Sequence, residues 1–177
     1  MAIIKPNNNT ISAITALPFN TGITMADQWR VTSATSFGSS VADITANFEQ
    51  IDTTGQGTIG TAMSESSGIF TFPQTGIYLV TANISAYRSG DARYVNLFIK
   101  GTTNNSSYST FAQSYDSIEQ AESNSTYANV VTSTFVDVTD TSNVKVKFSI
   151  RATQDCYFKG ASDNNENSFN FIRLGDT

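Results

Sequence analysis

The chain has 177 residues, a formal net charge of −5 at pH 7 and a sequence pI of about 4.5. Proteins that bind nucleic-acid backbones need clustered Lys and Arg to displace counterions, so this charge balance argues against nucleic acid as a partner. The sequence contains no His and one Cys, which excludes His-based metal sites, structural zinc centres and nucleophiles activated by His.

Residues 1–25 are predicted to form an extended docking arm that precedes the folded domain. The segment contains Pro6, Pro18 and an Asn triplet, and its apolar residues follow no lasting period, so a disordered terminus is the alternative. The arm is more apolar than most disordered segments. Fully extended, it would reach about 80 Å at roughly 3.3 Å per residue, enough to cross a neighbouring protein and add strands to its edge. The side chains predicted to anchor it to that protein are Ile3, Ile4, Ile11, Ile14, Leu17 and Phe19.

No export signal is predicted at the N-terminus, because Pro6 interrupts the apolar run before an h-region could form. The sequence also has no run of about 18 apolar residues, the length that a membrane-spanning helix needs. We therefore expect neither secretion nor a membrane partner.

Residues 26–177 are predicted to form a single domain, which begins with a strand at 28–32. The segment 41–52 is interpreted as irregular, because its apolar residues fit one face of a helix and a short strand equally well.

The strongest β signal lies in residues 66–88, SSGIFTFPQTGIYLVTANISAYR. Two β-type runs, at 69–72 and 77–87, are separated by the residues PQTG, and this spacing predicts an antiparallel hairpin with a short turn. Within the second run every second residue is apolar, and these residues are predicted to face the core: Tyr78, Val80, Ala82, Ile84 and Ala86.

The opposite side of this run changes character along its length. It begins with Ile77 and Leu79 and continues with Thr81, Asn83 and Ser85. A strand whose outer face first meets another subunit and then water would have this pattern. A half-exposed sandwich strand with two incidental apolar residues is the alternative.

Five more strands are predicted downstream, at 94–100, 108–116, 125–138, 144–150 and 168–176. About eight short strands, together with a charged fraction of only 14%, predict an all-β fold. Cys156 is expected to pack as a small apolar residue. The residues predicted to be buried in the core are Phe70, Tyr78, Val80, Val146, Phe148, Phe169 and Phe171.

The run GIFTFPQTGIYLV at residues 68–80 resembles the core of C1q and tumour-necrosis-factor-like domains, where a strand ending in an aromatic residue and Pro leads to Gly-x-Tyr. The resemblance extends over residues 27–176 and includes VKVKFSI at 144–150 and the Phe-rich run SFNFIRLGD at 168–176. It implies a jelly-roll β-sandwich that assembles as a homotrimer. The family places one sheet face along the threefold axis, and the resemblance puts these residues there: Leu79, Thr81, Asn83, Val131, Ser133, Phe135, Ile172 and Leu174.

No catalytic residue, cofactor site or metal site is predicted. The 15 acidic residues leave a paired-carboxylate glycan hydrolase open, because sequence spacing does not show which carboxyl groups face each other across a cleft. Residues 163–167 (DNNEN), together with Asp91, offer oxygen ligands for Ca²⁺. However, Asp and Asn are common in solvated turns, and the loop lacks the spacing of an EF-hand.

An apolar arm, a trimeric jelly roll and a surface rich in Ser, Thr and Asn predict a structural protein of a bacteriophage virion. The opening residues MAIIKPNNNTISAIT also resemble the N-terminal style of marine phage structural proteins. The protein would be a capsid decoration, head-fibre or tail-fibre subunit, and its partners would be further copies of itself and another capsid or tail protein. Two alternatives are a receptor-binding knob that recognises host-surface polysaccharide through loops bearing Tyr and Asn, and the carboxylate-based hydrolase.

Overall fold

Two antiparallel β-sheets face each other across the core of residues 22–177, the part of the chain that the computed structural model describes. The first sheet contains seven strands: β1 (Ala26–Val31), β2 (Thr35–Phe37), β4 (Phe48–Gln50), β7 (Gly76–Arg88), β10 (Thr126–Val138), β12 (Cys156–Phe158) and β13 (Asn167–Gly175). The second sheet contains six: β3 (Ala42–Asp43), β5 (Ser64–Ser66), β6 (Ile69–Thr71), β8 (Ala92–Thr102), β9 (Ser109–Ile118) and β11 (Lys145–Ala152). The described residues form no helix, so the predicted all-β fold is confirmed.

The strand order makes the fold a jelly-roll sandwich, as predicted. In the first sheet the order is β10-β7-β13-β1-β4, and β12 and β2 continue the sheet beside the C-terminal end of β7. In the second sheet the order is β5-β6-β11-β8-β9, with β3 beside β11. All eight predicted strands are present. The five strands that were not predicted, among them β12 around the buried Cys156, are each two or three residues long.

The predicted hairpin at residues 66–88 is wrong, because its two strands lie in different sheets. β6 pairs with β5 and β11, whereas β7 pairs with β10, β12 and β13. Phe72 and Tyr78 point into the core from opposite sides, with ring centroids 4.6 Å apart. Alternation identifies the buried face of a strand but not its neighbour, and a Pro/Gly connection serves a crossover between sheets as well as a hairpin turn.

The crossover between β6 and β7 depends on Gly76. Its φ of 141° lies in a region that L side chains rarely adopt, and a Cβ there would lie 2.5 Å from the Gly175 carbonyl oxygen. The Tyr78 hydroxyl donates a hydrogen bond of 2.9 Å to the Gln74 carbonyl and so ties the new strand to the turn that precedes it.

An aromatic cluster joins the two sheets. All seven residues predicted to be buried are inaccessible to solvent. Phe148 of the second sheet meets Phe169 of the first at 4.5 Å between ring centroids, and Phe70 meets Phe171 at 5.1 Å. Trp29 of β1 lies edge-on to Phe70 at 5.4 Å. Tilted and edge-on pairs at these distances add to the stabilisation that burial of the rings provides.

A buried carboxylate, which the sequence did not predict, fixes the start of the first sheet. Asp27 is almost inaccessible to solvent. Its oxygens accept hydrogen bonds from the Trp29 indole at 2.7 Å, the Met63 backbone N–H at 2.9 Å and the Gln50 amide at 2.9 Å. A buried charge is tolerated when its oxygens are satisfied in this way.

Met25, the last residue of the predicted arm, belongs to the packed structure. Its side chain is inaccessible, and its carbonyl accepts the backbone N–H of Arg173 at 3.0 Å. Ile23, two residues earlier, is exposed. The chain therefore enters the sandwich between these two positions.

We expect Phe148→Ala to lower the free energy of unfolding by about 3–5 kcal/mol, because the substitution removes buried apolar surface and leaves a cavity between the sheets. Chemical denaturation at a fixed protein concentration, followed by circular dichroism, measures this loss. Ile23→Ala is the control: Ile23 is exposed, and we expect a change within about 0.5 kcal/mol. A loss below about 1 kcal/mol for Phe148→Ala would contradict the position of this ring.

Candidate functional site

The candidate site lies on the outer face of the first sheet, the side that points away from the core. Along β7, even-numbered residues from Gly76 to Ala86 are buried and odd-numbered residues from Ile77 to Tyr87 are half-buried. β10 pairs with β7 over its full length and β13 pairs with most of it, so the outward residues of the three strands form rows across the sheet.

One end of this face carries an apolar row. Leu79 of β7 is paired with Phe135 of β10 on one side and with Ile172 of β13 on the other. Phe135 is 67% exposed. Leu174, the extra residue of a bulge in β13, is 53% exposed. Large apolar side chains grouped in this way on a surface are typical of a site that another molecule covers.

Two further rows consist mainly of small polar residues. They are Ser133–Thr81–Asn170 and Val131–Asn83–Ser168. None of the nine residues in the three rows is charged. The Asn83 Oδ1 atom is buried and has no hydrogen-bond donor among the described residues. Loss of charged residues from the centre of a surface patch is typical of a protein–protein interface.

The far end of the face carries a row of three tyrosines that the sequence analysis did not single out. Tyr87 of β7 stands between Tyr127 of β10 and Tyr157 of β12, with ring centroids 5.4 Å and 5.6 Å away. The Lys159 ammonium lies 5.7 Å from the centroid of Tyr87 and 5.5 Å from that of Tyr127. Strand parity places Tyr87 and Tyr127 outward, so part of this row was visible in the sequence. Tyr157 was not, because β12 is only three residues long.

A buried guanidinium lies on the β1 side of this face. Arg30 is inaccessible to solvent. Its Nε donates to Glu49 at 2.8 Å, its Nη2 to Asp52 at 2.8 Å and its Nη1 to the Thr53 hydroxyl at 2.8 Å. These three partners compensate the charge that burial would otherwise make costly.

The structure brings together the eight residues that the sequence analysis assigned to a subunit interface. Seven of them occupy the three rows, and Leu174 follows Ile172 by two residues on β13. Their contact with another copy of the chain stays a prediction. The residues predicted to anchor the arm lie outside the described residues: Ile3, Ile4, Ile11, Ile14, Leu17 and Phe19.

Within residues 22–177, no group of three or more His, Cys, Asp or Glu side chains is placed to hold a metal ion. Asp91 accepts the Gln120 backbone N–H at 2.7 Å, and Asp163 accepts the Asn164 amide at 3.0 Å. Burial raises the pKa of the Cys156 thiol, which therefore stays protonated at neutral pH. The same stretch of chain contains no helix that is long and apolar enough to cross a membrane.

Many solved structures share the fold of this chain, among them the following three. Eiger TNF from S. frugiperda matches with a TM-score of 0.64 and 14% identity, over 88% of this chain and 96% of that one. Murine APRIL at pH 5.0 matches with a TM-score of 0.60 and 12% identity, over 85% of this chain and 98% of that one. The globular domain of zebrafish complement 1qA matches with a TM-score of 0.53 and 15% identity, over 86% of this chain and 99% of that one.

Sequence comparison adds nothing to this likeness, since no family model and no curated protein matches the chain. At identities of 12–15% the structural likeness shows the fold alone. The C1q/TNF-like jelly roll that the sequence resembled is therefore confirmed.

Proposed function

We propose that the protein is a homotrimeric structural subunit of a virion, without enzymatic activity, which assembles through the outer face of its first sheet and attaches through its N-terminal arm. The apolar row carries this proposal, because Leu79, Ile172 and the 67% exposed Phe135 lie side by side in register. Covering such a surface stabilises association by about 25 cal/mol per Å² of apolar area. A second copy of the same face has the matching composition.

The uncharged rows suit a symmetric assembly. Around a symmetry axis identical side chains meet, so a charge near the axis would face its own repeats and cost several kcal/mol to desolvate. Apolar side chains can pack there, and Ser, Thr and Asn can bond to one another. The buried Oδ1 of Asn83 would gain a donor from a second copy. The C1q/TNF-like fold, together with the resemblance in sequence, favours three copies over two.

The position of β1 determines the end of such a trimer at which the N-terminal segments emerge. Ala26, the first residue of β1, is paired with Ile172 in the apolar row, and the chain leaves the sandwich here through the exposed Gly22 and Ile23. Threefold symmetry would place three N-terminal segments at the same end of the assembly. Three anchors hold a particle with much higher avidity than one, which supports attachment of the trimer by its arms.

The composition of the arm supports a partner in the virion. Its apolar side chains have too little chain around them to be buried without a second protein. Electron microscopy of particles with a label at the C-terminus of the chain locates that partner. Labels over the shell would identify a decoration or head-fibre subunit, labels at the tail a tail fibre, and unlabelled particles would contradict the proposed location.

Leu79→Asp should abolish the trimer, because threefold symmetry would bring three carboxylates together in a surface that water no longer reaches. Light scattering of the unmodified chain should give a mass of about three times 19.1 kDa. The variant should give the mass of one chain. Ser107→Asp introduces the same charge at an exposed loop position and should leave the trimer intact. Circular dichroism shows whether each variant is folded.

A monodisperse monomer for the unmodified chain, or an intact trimer for Leu79→Asp, would contradict the assignment of this face. If Leu79→Asp fails to fold, Phe135→Ser tests the same row, because Phe135 lies outside the core.

Deletion of residues 1–21 should leave a folded trimer that no longer attaches to virions. The deletion ends before Met25, which is buried, so the core is preserved. Thermal unfolding should stay cooperative and the midpoint should change little, whereas co-sedimentation with particles that lack the protein should be lost. Co-sedimentation equal to that of the full chain would show that the arm is not the anchor.

A further inference from the structure

The outer face of the second sheet is cationic, although the chain carries a net charge of −5. Its two central strands hold five of the ten Lys and Arg residues: Arg93 at the start of β8, and four that point away from the core, Lys100 on β8 and Lys145, Lys147 and Arg151 on β11. Asp43 of β3 lies 2.7 Å from the Lys147 ammonium and 3.6 Å from that of Lys100. Within the described part of the chain, Lys145 and Arg151 have no acidic partner.

The Asp43 carboxylate compensates only part of this charge. Burial raises its pKa, but hydrogen bonds from Lys147 and Ser149 and the charges of Lys147 and Lys100 outweigh burial, so the pKa lies below its usual value. The carboxylate is therefore ionised near neutral pH and balances one cation of the four. The face keeps an excess of positive charge.

Aromatic rings stand among the cations. The guanidinium carbon of Arg151 lies 5.3 Å from the ring centroid of Tyr94 and 5.7 Å from that of Phe98. Tyr115 of β9 is 51% exposed and meets Tyr94 edge-on at 5.7 Å. Flat rings beside cations suit the sugar units of an anionic glycan, whose C–H groups pack on the rings while their charged substituents reach the cations.

Four buried polar atoms on this face have no hydrogen-bond partner among the described residues: Nδ2 and Oδ1 of Asn96, Nε of Arg151 and the hydroxyl oxygen of Tyr108. Asn96 is inaccessible, and strand register places it between Arg151 on β11 and Tyr115 on β9. Its outward neighbours on β8 are Tyr94 and Phe98, so the guanidinium that contacts both rings covers its amide. Buried polar groups in native proteins are nearly always hydrogen-bonded. The amide of Asn96 therefore marks a position where a ligand can supply the missing hydrogen-bond partners.

We propose that this face binds an acidic polysaccharide. The carboxylate or sulfate groups of the glycan pair with Arg151 and Lys145, and its sugar rings stack on the aromatic side chains. On binding, the Arg151 side chain leaves the two rings for the anion and uncovers Asn96, whose amide then bonds a sugar hydroxyl. A guanidinium holds a carboxylate or sulfate through two parallel hydrogen bonds, which makes Arg151 the main specificity residue.

Charge density favours a glycan over a nucleic acid. Duplex DNA carries one charge per ~1.7 Å of its axis and is held by a dense array of cations. Four cations, one of them compensated by Asp43, fit a polymer whose charges lie further apart. The proposed glycan face also lies on the opposite side of the sandwich from the uncharged rows, so it does not depend on the proposed trimer.

Isothermal titration of the full chain with polygalacturonate, dextran sulfate and neutral dextran tests the proposal. We expect binding to at least one of the two acidic polymers, weaker binding at higher salt and no binding to dextran. A preference between the acidic polymers shows whether carboxylate or sulfate is recognised. Arg151→Gln should weaken binding about tenfold or more, because a charge-assisted pair is lost. Asp43→Asn should tighten binding, because it frees Lys147 and Lys100 of their counter-charge.

Lys159→Gln is the matched control, since it makes the same change in charge on the first sheet and should leave the affinity unchanged. Failure to bind either acidic polymer, equal binding of dextran, or equal weakening by Arg151→Gln and Lys159→Gln would overturn the proposal. Tighter binding of duplex DNA at equal salt would also overturn it. If Arg151→Gln does not fold, Arg151→Lys keeps the charge without the paired hydrogen bonds, and unchanged affinity in that variant would overturn the role of Arg151.

Discussion

The strict alternation of β7 is the constraint on which the rest of the structure depends. From Gly76 to Tyr87 its residues alternate between the core and the outer face. Because side chains in a strand repeat every two residues, a slip of one residue in pairing would exchange the two faces. Tyr78 and Val80 hold the register from inside, where both are inaccessible to solvent. With that register fixed, β10 and β13 must place Phe135 and Ile172 beside Leu79, so the composition of the outer face follows from the burial of the inner one.

The two sheets present different chemistry to their surroundings because the outward residues of their central strands differ. The first sheet shows three uncharged rows, whereas β11 places Lys145, Lys147 and Arg151 outward and buries Val146 and Phe148 beneath them. An uncharged face can meet copies of itself around an axis. A cationic face would repel its own copies and attract a polyanion. The proposed assembly and the proposed glycan site therefore use opposite sides of the sandwich, and neither would obstruct the other.

Sequence reasoning succeeded where the information was local and failed where it was not. Alternation within each strand was enough to place Phe148 in the core and Leu79 on the opposite side of its sheet. Alternation could not identify the strand that pairs with β6, because Thr71 pairs with Lys145, 74 positions away. The network around Asp27 joins donors from separate segments, and an Asp in a β-type run is more often exposed. The cationic face was missed for the same reason, since Lys100 and Lys147 become neighbours only when β8 and β11 pair.

Interspin distances from pulsed electron paramagnetic resonance test most directly whether the outer face of the first sheet surrounds a threefold axis. Cys156 is inaccessible, so spin labels attach only to introduced cysteines. For Ser133→Cys, in the middle of the uncharged rows, we expect one short distance shared by all pairs of labels. For Ser64→Cys, on β5 of the second sheet, we expect a clearly longer one. A distance at position 133 that exceeds the distance at position 64, or no dipolar coupling at position 133, would contradict the assembly proposed for this protein.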